Sequence, residues 1–485
     1  LIRHFPELAG LPVILTIRRQ RDGGKYSSGE WARINLLARG LAYAETDSRK
    51  NFAYVDIEED LNVPSLEEAA RAFGTRIIRS YHGLSGIDEN IEKKLRSMLH
   101  TGDELAKVAV ATNSTSDVLR VFKANKACSG QEKILICMGH YGAYSRILAE
   151  QFGSYLTYTS AFSETDSPIA AQGQFDVQEM AELYRLRGIT SATKIYGEVG
   201  QPLNASNNPY FFNTVFEQED IDAVYLPFPA DSLDAFMELA KELGILGLSV
   251  TVPYKEEIIP YLTGKSQSVH TIGACNTLSL KPQGWLGTNT DIEGFSDSLL
   301  EFTGRNHLRR QRITLIGAGG AAKATAAELY RLGAKVLILN RTVHKARDLA
   351  LPYKFAWGGL DSRGIEMMDK YRDIIIQATP AGMAGSDSAD PLEIYAFSGH
   401  EEVMDLVYTP DRTPFLKRAA KAGCRVINGY DMLIRQARYQ YMQFMGRDFS
   451  EQLFLRFLYD RSHNGTDRYG KSRATDERGG GQGRG

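Results

Sequence analysis

The stretch Arg312-Ile-Thr-Leu-Ile316, running into Gly317-Ala-Gly-Gly-Ala321, decides the fold of the second half of this chain. The first five residues read as a buried strand. Gly317, Ala318, Gly319, Gly320 and Ala321 form a glycine-rich turn, and Ala322 to Leu332 carries a helical pattern. A second strand, Lys335 to Leu339, then arrives at the spacing of a βαβ unit. Glycines at such a turn let backbone N–H groups approach a pyrophosphate, which the positive end of the helix favours. A plain strand-turn-helix connection uses the same residue types, but the flanking strands make a dinucleotide site the better reading.

The end of the second strand selects the cofactor. An acid there would hold a ribose 2′-hydroxyl, whereas this chain has Asn340-Arg341-Thr342 with Lys345 close behind. A guanidinium suits a 2′-phosphate that a carboxylate would repel, so NADP is expected. Upstream, Gly247 to Glu256 places Lys255 just past an apolar strand closed by Pro253, and Gly287-Thr-Asn-Thr-Asp291 supplies a carboxylate. A lysine and an aspartate sharing a proton can accept one as hydride leaves a secondary alcohol. By spacing alone, a surface salt bridge is the better reading of that pair.

Working outward, 485 residues predict two or three domains. A net charge of −2, with no basic block before the tail, gives no reason to expect a nucleic-acid partner. No apolar run approaches the roughly 18 residues of a membrane helix. Cys128, Cys137, Cys275 and Cys424 have neither paired nor metal-ligand spacing, which predicts free thiols and no metal site. The front half alternates strand candidates (Val13 to Arg18, Ala53 to Glu59, Arg76 to His82, Lys107 to Thr112, Lys133 to Met138, Tyr155 to Ala161) with helical stretches. That is a βα repeat, expected to form either an open parallel sheet or an incomplete (β/α)8 barrel lacking its first two units. The pattern restarts at Thr193, and the polar tail from His463 is expected to be disordered.

The motifs of the second half together resemble shikimate dehydrogenase from Ile195 to about Gln443. They are Tyr196-Gly-Glu-Val-Gly-Gln-Pro-Leu, Val250-Thr-Val-Pro-Tyr-Lys-Glu, Gly273-Ala-Cys-Asn-Thr, Asn289-Thr-Asp, the glycine loop and Asn340-Arg-Thr. The resemblance implies a two-domain enzyme with a Rossmann NADP-binding domain. Lys255 and Asp291 become the catalytic pair, with Thr251, Asn276, Asp291, Tyr408 and Gln436 contacting the substrate ring. Leu406 and Gly429 join the cofactor residues. Where the family carries a Ser-x-Ser pair for the substrate carboxylate, this chain has Ser206-Asn207-Asn208, which opens the choice between shikimate and quinate.

In the front half, Lys107 lies in the otherwise apolar strand Ala106 to Thr112, and His82 ends the preceding strand candidate. Burial disfavours an ammonium and frees the amine as a nucleophile toward a carbonyl. On this observation alone, a lysine stretched along apolar surface with its charge in water is the better reading. The strings Ser114-Thr-Ser-Asp-Val-Leu, Arg79-Ser-Tyr-His82, Asp56-Ile-Glu58 and Thr16-Ile-Arg-Arg with Gly23-Gly24 resemble type I 3-dehydroquinate dehydratase. That resemblance implies a TIM barrel in which Lys107 forms a Schiff base and His82 is the general acid and base. Asp56 and Glu58 would orient His82 or its surroundings, and Arg18, Arg146 and Gln174 would bind substrate. Asp22 replaces a usual glutamate and Ala170 a usual serine.

The two resemblances together imply the fused dehydratase–dehydrogenase of plants and some bacteria, here N-terminally truncated. The expected domains are 1–188 (dehydratase), 189–307 (substrate binding, completed by helices at about 430–460), 308–429 (Rossmann) and the tail 461–485. Its partners would be 3-dehydroquinate, 3-dehydroshikimate and shikimate. Its place would be the cytoplasm, or the plastid stroma in a plant. A barrel short of two strands and of the family's Glu-x-Arg motif is expected to have impaired dehydratase activity. The alternatives are a dehydrogenase, with quinate as a possible substrate, on a non-catalytic front scaffold, and a non-enzymatic NADP-binding sensor.

Overall fold

The computed structural model describes residues 4–42, 47–87, 90–98, 103–160, 173–203, 206–383 and 390–459. Ala170 and the tail 461–485 lie outside them. By its tertiary contacts the chain divides into two compact units, Leu1–Asn204 with Phe216–Ile245 and Ala205–Val215 with Leu246–Gly485.

The first unit holds a parallel sheet of five strands in sequence order: β1 (Ile14–Thr16), β2 (Tyr54–Glu58), β3 (Arg76–Gly83), β4 (Leu105–Ala111) and β5 (Lys133–Met138). One face, carrying Leu15, Val55, Ile57 and Ile77, packs under the intervening helices. The other gathers Ile78, Leu105, Ala109, Ile134 and Ile136. Because side chains alternate with period two, Asp56, Glu58, Ser80, His82 and Lys107 all point to this second face. The expected sixth strand, Tyr155 to Ala161, does not form among the described residues. Its segment makes only the single bridges Lys133↔Ser154 and Ser160↔Asp176. The cause is local, because the Ser154 hydroxyl accepts from Leu135 N at 3.0 Å and donates to Leu156 O at 2.8 Å, taking the place of a backbone ladder bond. The unit also contains the parallel pair β6 (Lys194–Gly200) and β7 (Ala223–Pro229), followed by the helix Leu233–Leu243.

In the second unit, β8 (Ile245–Val250) pairs antiparallel with β10 (Thr277–Lys281). β10 then forms a hairpin with β11 (Gly284–Thr288), and β11 pairs with the short β9 (Gly264–Lys265). The βα reading of this region did not anticipate the hairpin. Beyond it, β12 (Arg312–Ile316), β13 (Lys335–Leu339), β14 (Ala356–Gly358), β15 (Ile374–Gln377), β16 (Glu402–Asp405) and β17 (Arg425–Ile427) form a parallel sheet of order β14-β13-β12-β15-β16-β17. This is the doubly wound order that opens a crevice between β12 and β15 at the strand C-termini. Both faces are apolar, with Ile313, Leu315, Val336 and Ile338 on one and Ile316, Leu337, Leu339 and Ile375 on the other. Continuous burial of this kind is what helices on both sides require. No described helix is long and apolar enough to cross a membrane.

Candidate functional site

The nucleotide loop stands where the sequence places it. Gly317 has φ +117°, and a Cβ there would lie 2.9 Å from Ala378 O, so only glycine fits between β12 and the loop after β15. A Cβ on Gly319 or Gly320 would meet nothing within 4 Å. These positions border open space at the N-terminus of the helix Gly320–Arg331, the shape and charge a pyrophosphate needs. Asn340 Nδ2 donates to Thr342 O at 2.9 Å and shapes the turn after β13. Arg341 and Lys345 are exposed, and their side chains have no partner among the described residues. Gly429 approaches Leu406 so closely that a Cβ would lie 2.1 Å from the Leu406 carbonyl oxygen. Two residues expected at the cofactor from separate motifs thus meet.

Sequence reasoning missed the groups that hold this crevice. Gln377 Nε2 donates to Ala381 O at 3.1 Å and to Asp405 Oδ1 at 3.2 Å. Asp405 also accepts from Val407 N at 2.9 Å and from Thr413 Oγ1 at 2.6 Å. Burial pushes Asp405 up to about 6, against the lowering effect of these donors. The available signal was a polar residue at the end of each of two largely apolar strands, Ile374–Gln377 and Glu402–Asp405.

Lys255 Nζ reaches Asp291 Oδ2 at 2.6 Å, with side-chain exposures of 32% and 17%. Asp291 opens the helix Asp291–Thr303, whose positive end stabilises a carboxylate. Asn276 joins this pair to the rest of the site, because Nδ2 donates to Asp291 Oδ1 at 2.9 Å and to Gln436 Oε1 at 3.2 Å. Its Oδ1 accepts from Thr290 N at 2.8 Å and from Thr277 Oγ1 at 2.7 Å. Gln436 lies on the helix Tyr430–Met445, pressed against Gly294, where a Cβ would come within 2.7 Å of Gln436 Cβ. Gly294 is therefore another residue that sequence reasoning missed. Thr251 follows β8 and is half-buried, and Tyr408 stands half-buried two residues after Leu406. Ser206 Oγ accepts from Asn208 N at 3.2 Å at the start of the helix Asn208–Gln218. Asn208 is buried and lines a small cavity with Tyr430, Leu433, Ala437 and Phe457. Lys323, on the helix behind the nucleotide loop, bonds Glu256 at 3.0 Å, next to Lys255. This bond is exposed and worth only about 0–1 kcal/mol.

The first unit carries a denser charge cluster. Lys107 Nζ lies 2.8 Å from Asp56 Oδ2, and Arg18 bridges Asp56 at 2.8 Å and Glu58 at 2.9 Å. Arg33, wholly buried, pairs with Glu58 at 2.8 Å. Ser80 donates to Asp56 at 2.6 Å, and the Tyr158 ring lies 4.5 Å from the Lys107 ammonium. None of Arg33, Ser80 and Tyr158 was expected, although Ser80 could be read as sharing the face of His82 two residues on. Burial opposes ionisation of Asp56, but Lys107 and Arg18 outweigh it and hold the carboxyl well below its usual range. His82 is pushed down to about 3, first by burial and then by Arg18 and Lys107. Its Nδ1 is buried without a hydrogen-bond partner among the described residues.

Arg146 is buried and donates to Cys137 O at 3.1 Å. Its Nε is unpaired, and burial pulls it down to about 10. Gln174 follows Gly173, whose Cβ would lie 2.3 Å from Gly139 O, so it sits beside the loop that carries Arg146. Asp22 accepts from Arg19 Nε at 2.6 Å. All four cysteines are free and buried, and the described residues contain no metal-ligand cluster.

Residues 1–191 match the family model of type I 3-dehydroquinase, 199–278 that of the shikimate dehydrogenase substrate binding domain, and 301–384 that of shikimate / quinate 5-dehydrogenase. The chain is similar to the chloroplastic bifunctional 3-dehydroquinate dehydratase/shikimate dehydrogenase of Arabidopsis thaliana, at 29% identity over 92% of this chain and 75% of that protein. It is 30% identical to the shikimate biosynthesis protein AroDE of Chlamydia pneumoniae over 80% of this chain and 77% of the relative. A solved shikimate dehydrogenase in complex with NADP+ has a TM-score of 0.51 at 33% identity, covering 56% of this chain and 96% of that one. The ordered matches and the two charge clusters agree: the chain belongs to the family of fused type I 3-dehydroquinate dehydratases and shikimate dehydrogenases.

Proposed function

We propose that this chain performs two consecutive steps of the shikimate pathway, Schiff-base dehydration of 3-dehydroquinate and NADPH-dependent reduction of the resulting 3-dehydroshikimate to shikimate. The observation that carries the reduction is the Lys255–Asp291 pair at 2.6 Å, tied through Asn276 to Gln436. NADPH, held by the residues of the glycine loop, Arg341, Lys345, Leu406 and Gly429, supplies a hydride when bound. Lys255 donates a proton to the carbonyl oxygen of the substrate, and Asp291 keeps the ammonium oriented and helps restore its proton. Thr251, Asn276, Tyr408 and Gln436 position the ring hydroxyls. Ser206 and Asn208, at a helix N-terminus, suit the carboxylate. The domain boundaries proposed for this machinery are 189–307 for substrate binding, completed by helices at about 430–460, and 308–429 for the cofactor.

For the dehydration, the Lys107 amine attacks the substrate ketone and one water leaves as the imine forms. His82, neutral at pH 7 because its pKa is near 3, accepts the proton from the carbon beside the imine. The β-hydroxyl departs with a proton as water, and hydrolysis of the imine releases Lys107. Arg146, whose Nε has no hydrogen-bond partner among the described residues, and the nearby Gln174 suit the substrate carboxylate.

A second reading keeps only the reduction, with quinate as substrate, and the amide of Asn208 in the carboxylate site favours it. One experiment separates them. The chain is assayed with NADP+ on shikimate and on quinate, before and after Asn208→Ser, and trapped with borohydride in the presence of 3-dehydroquinate. The main reading expects higher kcat/KM for shikimate and an adduct at Lys107. A quinate preference that Asn208→Ser reverses, with no adduct, establishes the second.

A further inference from the structure

Two loops at the C-terminal rim of the dehydratase sheet rest on residues that match the dehydrogenase family, all within the first compact unit. The loop after β4, the strand of Lys107, leads into the helix Thr115–Ala127. Asp231, just beyond β7, accepts at Oδ1 from Thr115 N at 2.8 Å and from Thr115 Oγ1 at 2.7 Å. Thr115 is fully buried at this junction. One residue before it, Ser114 Oγ caps the same helix by accepting from Asp117 N. Asn113 reaches Ser85 O at 3.5 Å beyond the His82 strand, and Thr112 donates to Met138 O at 2.9 Å at the end of β5. A carboxylate on the first N–H of the helix therefore fixes a loop that joins the ends of β3, β4 and β5.

The loop after β5 docks on the same elements. Tyr144, two residues before Arg146, is buried edge-to-face on Phe228 of β7 at 4.8 Å, and Tyr141 shares a hydrogen bond with Gln201. Alongside, Lys123 pairs with Glu238 at 2.6 Å and Lys126 with Glu242, so one helix presents cations and the other anions. These outer pairs are half-exposed and contribute little. The acceptor on Thr115 and the Tyr144–Phe228 contact are what fix geometry.

We propose that the dehydrogenase part completes the rim of the dehydratase site, and that Asp231 is a positioning residue for Lys107 and His82, acting through Thr115 and the 112–114 loop. This rests on the dehydratase reading above. Without the acceptor, the first turn of the helix loses a partner for its N–H and the loop loosens, which displaces the imine-forming amine relative to its base.

The test uses the full chain carrying Asp231→Ala, Asp231→Asn and Thr115→Val. Amide exchange over residues 112–118 should rise about tenfold in Asp231→Ala, the scale expected when a helix cap is removed. It should return toward wild type in Asp231→Asn, whose Oδ1 can still accept both bonds. Borohydride trapping at Lys107 should slow in the same order, with Thr115→Val, which loses the hydroxyl bond but keeps the one from its backbone N–H, falling between wild type and Asp231→Ala. Dehydrogenase kcat and KM should stay within twofold in all three. Wild-type exchange and wild-type trapping in Asp231→Ala would overturn the proposal. Changed exchange with unchanged trapping would reduce Asp231 to a structural contact, and overturn its positioning role. Absence of any adduct in the wild type, whatever the exchange shows, would instead overturn the dehydratase reading.

Discussion

Both sites are built on a lysine–aspartate pair, and the two pairs differ chiefly in burial. Lys107–Asp56 spans 2.8 Å with side-chain exposures of 7% and 2%, whereas Lys255–Asp291 spans 2.6 Å with 32% and 17%. The buried pair is surrounded by Arg18, Glu58, Arg33 and Ser80, each hydrogen-bonded or ion-paired. The more open pair is held by the neutral amide of Asn276, itself bonded to Gln436, at a helix end. A covalent nucleophile needs a fixed, water-poor setting in which a protonation state can be imposed. A group that passes a proton to and from a bound alcohol needs contact with substrate and solvent. Under the proposed function, the same two residue types are therefore given different chemistry by their surroundings.

The largest expected effect tests the open pair. Lys255→Ala should lower kcat for shikimate oxidation by roughly 10²–10⁴, the usual weight of a general acid or base. Substrate binding should weaken far less, and the melting temperature should hardly move. Steady-state kinetics beside a thermal melt decide it, and an unchanged kcat removes Lys255 from the reaction.

The corresponding change in the buried pair should act on stability. Asp56→Ala leaves Lys107 and Arg18 without their shared carboxylate, and breaking a buried pair in this way costs about 3–5 kcal/mol. Denaturant unfolding should show that loss in a transition assigned to the first unit. If the loss is under 1 kcal/mol, the cluster is better solvated than its burial implies.

Asp405 extends the comparison to a buried acid with no cation beside it. Its folded pKa of about 6 lies above the roughly 3.9 of an unfolded aspartate. The stability it contributes is therefore fully present below the unfolded value and is lost as pH rises through about 6. Asp405→Asn removes that titration while keeping groups for Gln377, Val407 and Thr413. Relative to wild type, the variant should gain up to about 3 kcal/mol between pH 4 and pH 8. Melts across that range check it, and a difference independent of pH would show that Asp405 is paired after all.

Arg341 is the opposite case, an exposed cation with no acidic partner among the described residues. Arg341→Ala should raise KM for NADP+ about tenfold, the value of one charge-assisted hydrogen bond, and leave KM for NAD+ nearly unchanged. Equal effects on both cofactors would place Arg341 away from the 2′-phosphate.

Much of this was legible in the chain because it is written locally. Gly317 to Ala321 between two apolar strands, Asn340-Arg341 after the second, and Lys107 inside an apolar run each carry their own physical argument. So did five of the six front strands. The sixth failed at Ser154, whose hydroxyl takes a ladder bond, and a propensity pattern does not record such a competition. The antiparallel β10–β11 hairpin escaped a reading that expected strands to alternate with helices.

The sequence by itself determined most element types, the cofactor preference and the candidate reactive residues, since periodicity, glycine placement and charge at a strand end act over a few residues. Tertiary structure alone decided how distant residues share atoms. It set Asn276 between Asp291 and Gln436, 160 positions apart from the latter, brought the Gly429 backbone onto Leu406, and placed Asp231 on Thr115. It also decided which lysine is buried. Burial and hydrogen-bond partners are properties of the packed chain, and on the reading proposed above they separate a buried nucleophile from an accessible proton carrier.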